Sequence, residues 1–195
     1  MLDYKEDWEI ITMHKQYRRL TQNYELDKPV WLGDTRYDLK RESLLEGKLQ
    51  VYMPSSFMQL SEEAAKEKYP SMNRPQIVVT NEDRTVDFTF NHVEKTVLPL
   101  TSQTVWAEVD RLFPRSVLYD TGAFKSDGLE ILWLEYKSFS LTSEVYNILF
   151  PIMSVTVGTV IGTFSCPIIT YDIWKPCVME IIKTIHIQEV DNEGF

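Results

Sequence analysis

The stretch from Thr156 to Ile187 constrains the fold of this chain more than any other part of the sequence. Its first half is rich in β-branched and aromatic residues and contains two glycines, which is typical of a buried strand that another segment approaches closely. Because Pro167 cannot donate a backbone hydrogen bond, we expect regular strand pairing to weaken at Cys166. Asp172 is predicted to cap the following helix, with Pro176 in the first turn, where a missing N–H costs little.

The helix that follows is apolar along one face only. Lys175, Glu180 and Lys183 fall on its opposite side. A helix of about four turns is marginal on its own in water, and burial of an apolar face contributes roughly 1.5–3 kcal/mol per large side chain. We therefore expect this helix to cover a sheet. Its apolar face consists of Trp174, Cys177, Val178, Ile181, Ile182 and Ile185.

Most of the preceding sequence is predicted to form strands joined by short turns, which favours antiparallel pairing. The segment Leu129–Phe139 is apolar on both sides, which indicates a central strand covered on two faces. We also expect a short strand at Trp8–Thr12, an edge strand within Tyr17–Leu26 and a short helix capped by Ser61. The main predicted strands are residues 48–53, 77–80, 85–90, 117–121, 129–139 and 145–153.

Two further patterns complete the predicted layers. In the strand 85–90, Asp87 and Thr89 alternate with apolar residues and are expected to face solvent. A second amphipathic helix follows Thr101, and two such helices need separate apolar surfaces. The predicted fold class is therefore α/β (α+β), a three-layer α/β/α sandwich with a mainly antiparallel central sheet. The apolar face of the second helix consists of Val105, Trp106, Val109, Leu112 and Phe113.

We expect one domain with three parts. Residues 1–47 are predicted to form an N-terminal strand and loop extension packed on the core, residues 48–188 the α/β/α core, and residues 189–195 a tail. The chain of 195 residues is long enough to bury a core without a disulfide or a metal ion. Cys166 and Cys177 are accordingly predicted to be buried thiols rather than a bridge.

Charge limits the classes of partner. The chain carries a formal net charge of −9, which argues against binding to nucleic acid or to anionic membranes, because both use basic patches. The first nine residues are charged without an apolar run, unlike a secretory signal. No stretch approaches the ~20 apolar residues of a spanning helix. The sequence therefore predicts a cytoplasmic protein.

No motif for catalysis, metal binding or cofactor binding stands out. The histidines His14, His92 and His186 lack a second ligand at helical spacing, so no metal site is expected. The seven glycines form neither of the common phosphate-binding patterns. We therefore expect no catalytic residues, no metal and no cofactor.

The loop from Tyr69 to Pro75 is the best candidate for partner binding. Tyr and Arg are favoured in recognition hot spots, and two prolines limit the entropy that the loop loses on binding. Tyr69 and Arg74 are the candidate residues here, together with Trp31, which lies between two turn signals. Two alternatives stay open: Arg74 pairs with a nearby acid in a purely structural loop, and Trp31 packs against the body of the protein.

Two segments resemble a known group of proteins. The strand Val51-Tyr52-Met53-Pro54, with Phe57 after it, and the closing segment Ile181-Ile182-Lys183-Thr184-Ile185 resemble the fold shared by PsbP-like photosystem proteins, the Ran-binding nuclear import factor of that superfamily and bacterial DcrB-like domains. In that group an early strand leads through a Pro and a Phe, an antiparallel sheet follows, and a last helix closes the fold. The order of elements fits from about Lys48 to Ile187, and residues 1–47 fall outside the resemblance.

The resemblance implies a binding or accessory role, since members of the group are mostly non-enzymatic and some DcrB-like domains act as chaperones or adaptors for secreted effectors. We therefore expect a bacterial, non-catalytic binding, adaptor or chaperone-like protein with a protein partner. The alternative is a small-molecule-binding or enzymatic domain whose site is assembled from residues far apart in sequence. We expect a monomer, or a weak homo-oligomer formed through an edge strand such as Trp8–Thr12.

Overall fold

The computed structural model of the chain describes residues 4–93, 100–126, 129–140, 143–154 and 157–188, with side chains from residue 12 onward. The helices are α1 (Tyr4–Leu20), α2 (Glu62–Lys68), α3 (Ser102–Leu112) and α4 (Tyr171–Lys183), and a 3-10 turn at Ile168–Thr170 precedes α4. The strands are β1 (Val30–Leu32), β2 (Thr35–Tyr37), β3 (Leu39–Leu44), β4 (Leu49–Pro54), β5 (Met58–Gln59), β6 (Ile77–Thr80), β7 (Asp87–Val93), β8 (Val117–Ser126), β9 (Leu129–Phe139), β10 (Glu144–Ser154), β11 (Gly158–Pro167) and β12 (His186–Ile187).

In the described part of the chain, seven strands form one large sheet in the order β5-β6-β7-β11-β10-β9-β8. Every neighbouring pair is antiparallel, which confirms the predicted character of the sheet. The residues Phe88, Phe164, Ile148 and Glu135 lie opposite one another across four strands and therefore share one face. The strands β5 and β8 form the two ends of this sheet.

Helix α4 covers the face that carries Phe164, as predicted. Its Trp174 ring lies 5.8 Å from the Phe164 ring and 5.8 Å from the Phe57 ring, measured between centroids. The small sheet β12-β4-β3 lies on the same side of the large sheet as α4. Its Val51 and Met53 are buried in the core that also contains Trp174 and Phe164. Ile181, Ile182 and the other predicted apolar positions of α4 are buried. Their burial removes the apolar face from water and stabilises the docked helix.

Helices α2 and α3 lie on the opposite face. The ring of Trp106 in α3 packs against Tyr136 in β9, with centroids 6.1 Å apart. Helix α2 begins after Ser61, whose hydroxyl accepts a hydrogen bond from the Ala64 amide, so the predicted cap is confirmed. The molecule is therefore a mixed α+β fold with helices on both faces of an antiparallel sheet. No helix in the described residues has the length and apolarity needed to cross a membrane.

The N-terminal segment differs from the prediction. Residues 8–12, expected as a strand, lie in helix α1, and the expected edge strand within 17–26 is also wrong, since α1 continues to Leu20. The helix is stabilised by its contacts with α4: the Gln16 amide donates to the Tyr171 hydroxyl at 2.6 Å, and Arg19 pairs with Asp172 at 3.0 Å. The expected homo-oligomer formed through an edge strand at residues 8–12 is therefore not supported, because these residues are helical.

Three details of α4 and its surroundings correct the sequence analysis. Asp172 does not cap the helix, because Thr170 occupies the N-cap position and Asp172 binds Arg19 instead. Pro176 lies in the second turn, where its missing N–H leaves the helix without one internal hydrogen bond. Asp87 and Thr89 are buried rather than exposed, and Asp87 is bound by Lys68 and Tyr69 at the end of α2.

The division of the chain at residue 47 stays a prediction, and the predicted tail, residues 189–195, lies outside the described residues. Strand β3, before the proposed boundary, pairs with β4, after it, over six residue pairs from Leu39 opposite Pro54 to Leu44 opposite Leu49. The extension also contributes Leu26, Val30 and Leu32 to the hydrophobic core.

Candidate partner-binding surfaces

Tyr69 links the end of α2 to the central sheet. Its hydroxyl donates to Asp87 Oδ2 at 2.9 Å, and Lys68 Nζ donates to Asp87 Oδ1 at 2.6 Å and to the Arg84 carbonyl at 2.6 Å. Burial, and then the Asp87 carboxylate, raise the pKa of Tyr69 above its usual value, so the phenol stays protonated as a donor. The hydroxyl is therefore engaged within the protein, and a role for Tyr69 in partner binding stays a prediction.

Arg74 lines a cleft of about 500 Å³ beside the same loop, which we call the Arg74 cleft. Its guanidinium donates to the Ser71 carbonyl over a long 3.4 Å. The nearest acid in the cleft, Glu62, is paired with Lys66 at 2.5 Å. The expected alternative, an Arg74 held by an acid, is thus absent from the ion pairs of the described residues. The cleft is lined by Gln59, Leu60, Glu62, Ala65, Met72, Arg74, Pro75, Gln76 and Val78.

Trp31 lies apart from this cleft. It occupies the middle of β1, where Val30 and Leu32 are buried and Trp31 is 59% exposed. Its carbonyl accepts a hydrogen bond from the Tyr24 hydroxyl at 3.3 Å. Because it is not among the residues that line the Arg74 cleft, the three predicted residues do not form one site, and partner binding by Trp31 also stays a prediction.

A surface that the sequence analysis missed lies at the β8 end of the large sheet. Strand β8 pairs with β9 on its inner side, and no strand of the described residues pairs with its outer side. Six large apolar side chains at this end are each between 37% and 53% exposed. We call this group the edge patch: Leu112, Phe113, Val117, Leu118, Tyr119 and Phe139. Leu112 and Phe113 were expected on the buried face of α3, so this part of the prediction is wrong.

The edge patch occupies both faces of the sheet. Leu118 lies opposite Tyr136 and thus on the α3 side, whereas Val117 lies opposite Lys137, on the side of α4. The register shifts between Leu118 and Asp120, so Tyr119 forms a bulge. Bulges twist an edge strand and are common beside functional surfaces.

Two cations border the edge patch. The Arg115 guanidinium lies 5.7 Å from the centre of the Phe139 ring, and Lys137 Nζ lies 5.1 Å from the same centre. A hydrogen bond to Glu144 raises the pKa of Lys137, so this amine is charged at neutral pH. The apolar surface therefore has a polar rim, as binding surfaces on proteins do.

A buried polar cluster lies under α4. Lys175 Nζ is 2.7 and 2.8 Å from the two carboxylate oxygens of Glu135, which is 3% exposed. The fully buried Tyr146 lies beside it, and burial followed by the Glu135 charge raises the pKa of this phenol. The cluster holds α4 to β9. Among the described residues, no group of three or more His, Cys, Asp or Glu is arranged to hold a metal ion.

Comparison with solved structures identifies the fold. The solution structure of cyanobacterial PsbP (CyanoP) from Synechocystis sp. PCC 6803 is similar with a TM-score of 0.60 and 15% identity, over 77% of this chain and 92% of that chain. The crystal structure of the Ran-binding protein Mog1p from Saccharomyces cerevisiae is similar with a TM-score of 0.54 and 12% identity, over 77% of this chain and 96% of that chain. The chain has the PsbP/Mog1-type fold. The resemblance inferred from the sequence is thus confirmed at the level of the fold.

At these identities the PsbP/Mog1-type likeness concerns architecture alone, because one fold hosts many functions. No protein-family model matches the sequence. No curated protein matches it either. The function therefore has to be argued from the surfaces of this chain.

Proposed function

We propose that this protein is a non-catalytic binding protein, adaptor or chaperone-like, that holds an extended segment of a partner protein against the outer edge of β8. The observation that carries the proposal is the edge patch along a ten-residue end strand. Backbone N–H and C=O groups on the outer side of such a strand form hydrogen bonds with an added strand, and the flanking side chains supply specificity.

The edge patch indicates what kind of segment fits. Side chains of an added strand alternate between the two faces of the sheet. On one face they meet Leu118 beside the end of α3, and on the other they meet Val117 and Phe139. A matching segment therefore carries apolar residues at neighbouring positions, so that both of its sides are covered.

The occupant is proposed to be a different protein rather than a second copy. Two copies of this chain would each bring a net charge of −9, and like charges oppose close association. Mog1p, which shares the fold, is a Ran-binding protein, and this supports a protein partner without naming one here. We place the protein in the bacterial cytoplasm as part of the proposal, supported by its two buried free cysteines.

The proposal is tested with peptides selected from a random twelve-residue library. We expect the bound peptide to slow amide hydrogen exchange along β8, and Val117→Glu to weaken its binding about tenfold or more, because the new carboxylate would be desolvated. The matched control is Ile169→Glu, since Ile169 is an aliphatic side chain that is 84% exposed outside the edge patch.

Three results would overturn the proposal. The first is protection from exchange at a surface other than β8. The second is equal binding by the Val117→Glu protein and the unmodified protein. The third is a dimer in light scattering whose β8 amides are already protected without peptide, because a second copy would then occupy the edge.

A further inference from the structure

We infer that the Arg74 cleft binds a small organic monoanion: a carboxylate attached to an apolar body. This site lies beside β5 and β6, at the end of the large sheet opposite to β8. It is therefore independent of the proposed strand-binding edge, and either surface can function without the other.

The cationic group of the cleft has unused hydrogen-bonding capacity. An Arg guanidinium carries five N–H donors, and the hydrogen bond of Arg74 within the described residues is the long one to Ser71. Arg74 is half-buried as a residue, and its guanidinium stays accessible to a ligand. A carboxylate would satisfy two parallel donors at once and form the strongest kind of hydrogen-bonded pair that Arg makes.

The remainder of the cleft combines polar and apolar groups, and its apolar part can contact a short aliphatic chain. Ala65 and Val78 are buried at its base, and Leu60 and Pro75 add apolar walls. The volume of about 500 Å³ lies within the roughly 300–1,000 Å³ of ligand sites in proteins. Met72 lines the cleft and is strongly exposed, and its flexible side chain can adapt to ligands of different shape.

The loop that carries Arg74 is held in place before a ligand arrives. Tyr69 fastens one end of the loop to the buried Asp87, and Pro70 and Pro75 restrict the backbone between α2 and β6. A site that is already ordered loses less entropy on binding. These contacts therefore favour a real binding site over a loose surface arginine.

Glu62 weakens the attraction of the cleft for anions and so favours a ligand with a single negative charge. Its carboxylate also lines the cleft and opposes an anion there. The pKa of Glu62 is lowered mainly by its hydrogen bond to Lys66, with a smaller contribution from Arg74. Since Lys66 offsets the negative charge only in part, a ligand with one charge is favoured over a phosphate ester, whose second charge would be repelled.

The test is a titration of the full chain with hexanoate, followed by amide chemical shifts in two-dimensional NMR. We expect shifts at Ala65, Arg74 and Val78, and binding about tenfold or more weaker in Arg74→Gln, because a charge-assisted pair is lost. The matched control is Arg84→Gln, which removes an exposed arginine outside the cleft. Glu62→Gln is expected to tighten binding severalfold by removing the opposing charge.

Three comparison ligands test which chemical features of the ligand determine its affinity. We expect 1-hexanol and hexyl phosphate to bind more weakly than hexanoate, the first for lack of a charge and the second for its second charge. N-acetylvaline distinguishes a peptide C-terminus from a free acid: tighter binding than hexanoate supports the peptide source, and weaker binding supports the free acid. Equal binding of hexanol and hexanoate, unchanged binding in Arg74→Gln, or no shifts at the cleft would each overturn the inference.

Discussion

Replacement of Lys175 by Met tests the ion pair that holds α4 to the sheet. Lys175 Nζ lies within 2.8 Å of both Glu135 oxygens, and Glu135 is almost completely buried. Removal of the cation leaves a carboxylate out of water without its partner, which costs about 3–5 kcal/mol in buried pairs. Because the Lys175 side chain is 28% exposed, we expect a loss of unfolding free energy near the lower value, about 3 kcal/mol.

The loss is measured by urea unfolding, followed by tryptophan fluorescence and by far-ultraviolet circular dichroism. The double variant Glu135→Leu, Lys175→Met removes both charges, and we expect it to regain most of the lost stability, because apolar replacement of a buried pair is often neutral or stabilising. Lys66→Met is the matched control: it removes an exposed helix pair with Glu62 and should change stability by about 0.5 kcal/mol or less.

Either of two results would contradict this expectation. One is a Lys175→Met protein within about 1 kcal/mol of the original, which would mean that water reaches the Glu135 carboxylate freely. The other is a double variant that is as unstable as the single variant, which would mean that Lys175 stabilises α4 through packing rather than through its charge.

Three further outcomes are expected. Gly162→Ala should lower the unfolding free energy by about 1–3 kcal/mol in urea titrations, because an added Cβ would lie 2.0 Å from the buried Phe150 ring. Burial raises the pKa of Cys177 from 9.0 to about 12; the folded state therefore holds this proton more tightly, so its contribution to stability is complete below pH 9 and is lost as the pH rises toward 12. Urea titrations at rising pH should show that loss, and Cys177→Ala should make it shallower without abolishing it, because burial also raises the pKa of Cys166 to about 12. Asp87→Asn should speed amide hydrogen exchange in residues 69–75, since it weakens the charged contacts to Lys68 and Tyr69; unchanged exchange would show that the loop is held by other contacts.

Elements with a strong local pattern were predictable from the sequence. Helix α2 begins after Ser61, and β9 spans Leu129–Phe139, in both cases as predicted. The apolar face of α4 was also predictable, because its spacing repeats over three turns. In these segments the local preference and the tertiary environment agree.

Helix α1 and the role of Asp172 depend on contacts between residues far apart in sequence, which a local sequence pattern does not reveal. The residue types at positions 8–12 favour a strand. The segment is nevertheless helical, because α1 is stabilised by α4 through the pair of Arg19 and Asp172, which lie 153 positions apart. An Asp near a helix start normally predicts a cap, and here the distant Arg19 binds it instead. Long-range pairing of this kind overrides the local preference.

The candidate surfaces were only partly predictable, for a related reason. Arg74 could be singled out by residue type and by its prolines, although its cleft also needs Val78 from β6 and Ala65 from α2. The edge patch could not be found, because the exposure of Leu118 depends on β8 being the last strand of the sheet. A buried and an exposed strand of this composition look the same in sequence.

Contacts between the N-terminal and C-terminal elements determine the order in which this chain folds during translation. Gln16 meets Tyr171 across 155 positions, and Leu49 in β4 pairs with Ile187 in β12, 138 positions later. At about 5–20 residues per second, a ribosome needs roughly 7 to 28 seconds to synthesise that interval. The hairpins from β8 to β11 can form as soon as their strands leave the ribosome. The apolar side of β4, in contrast, stays exposed until β12 and α4 have been synthesised. The nascent N-terminal third is therefore the segment that most needs a holdase chaperone.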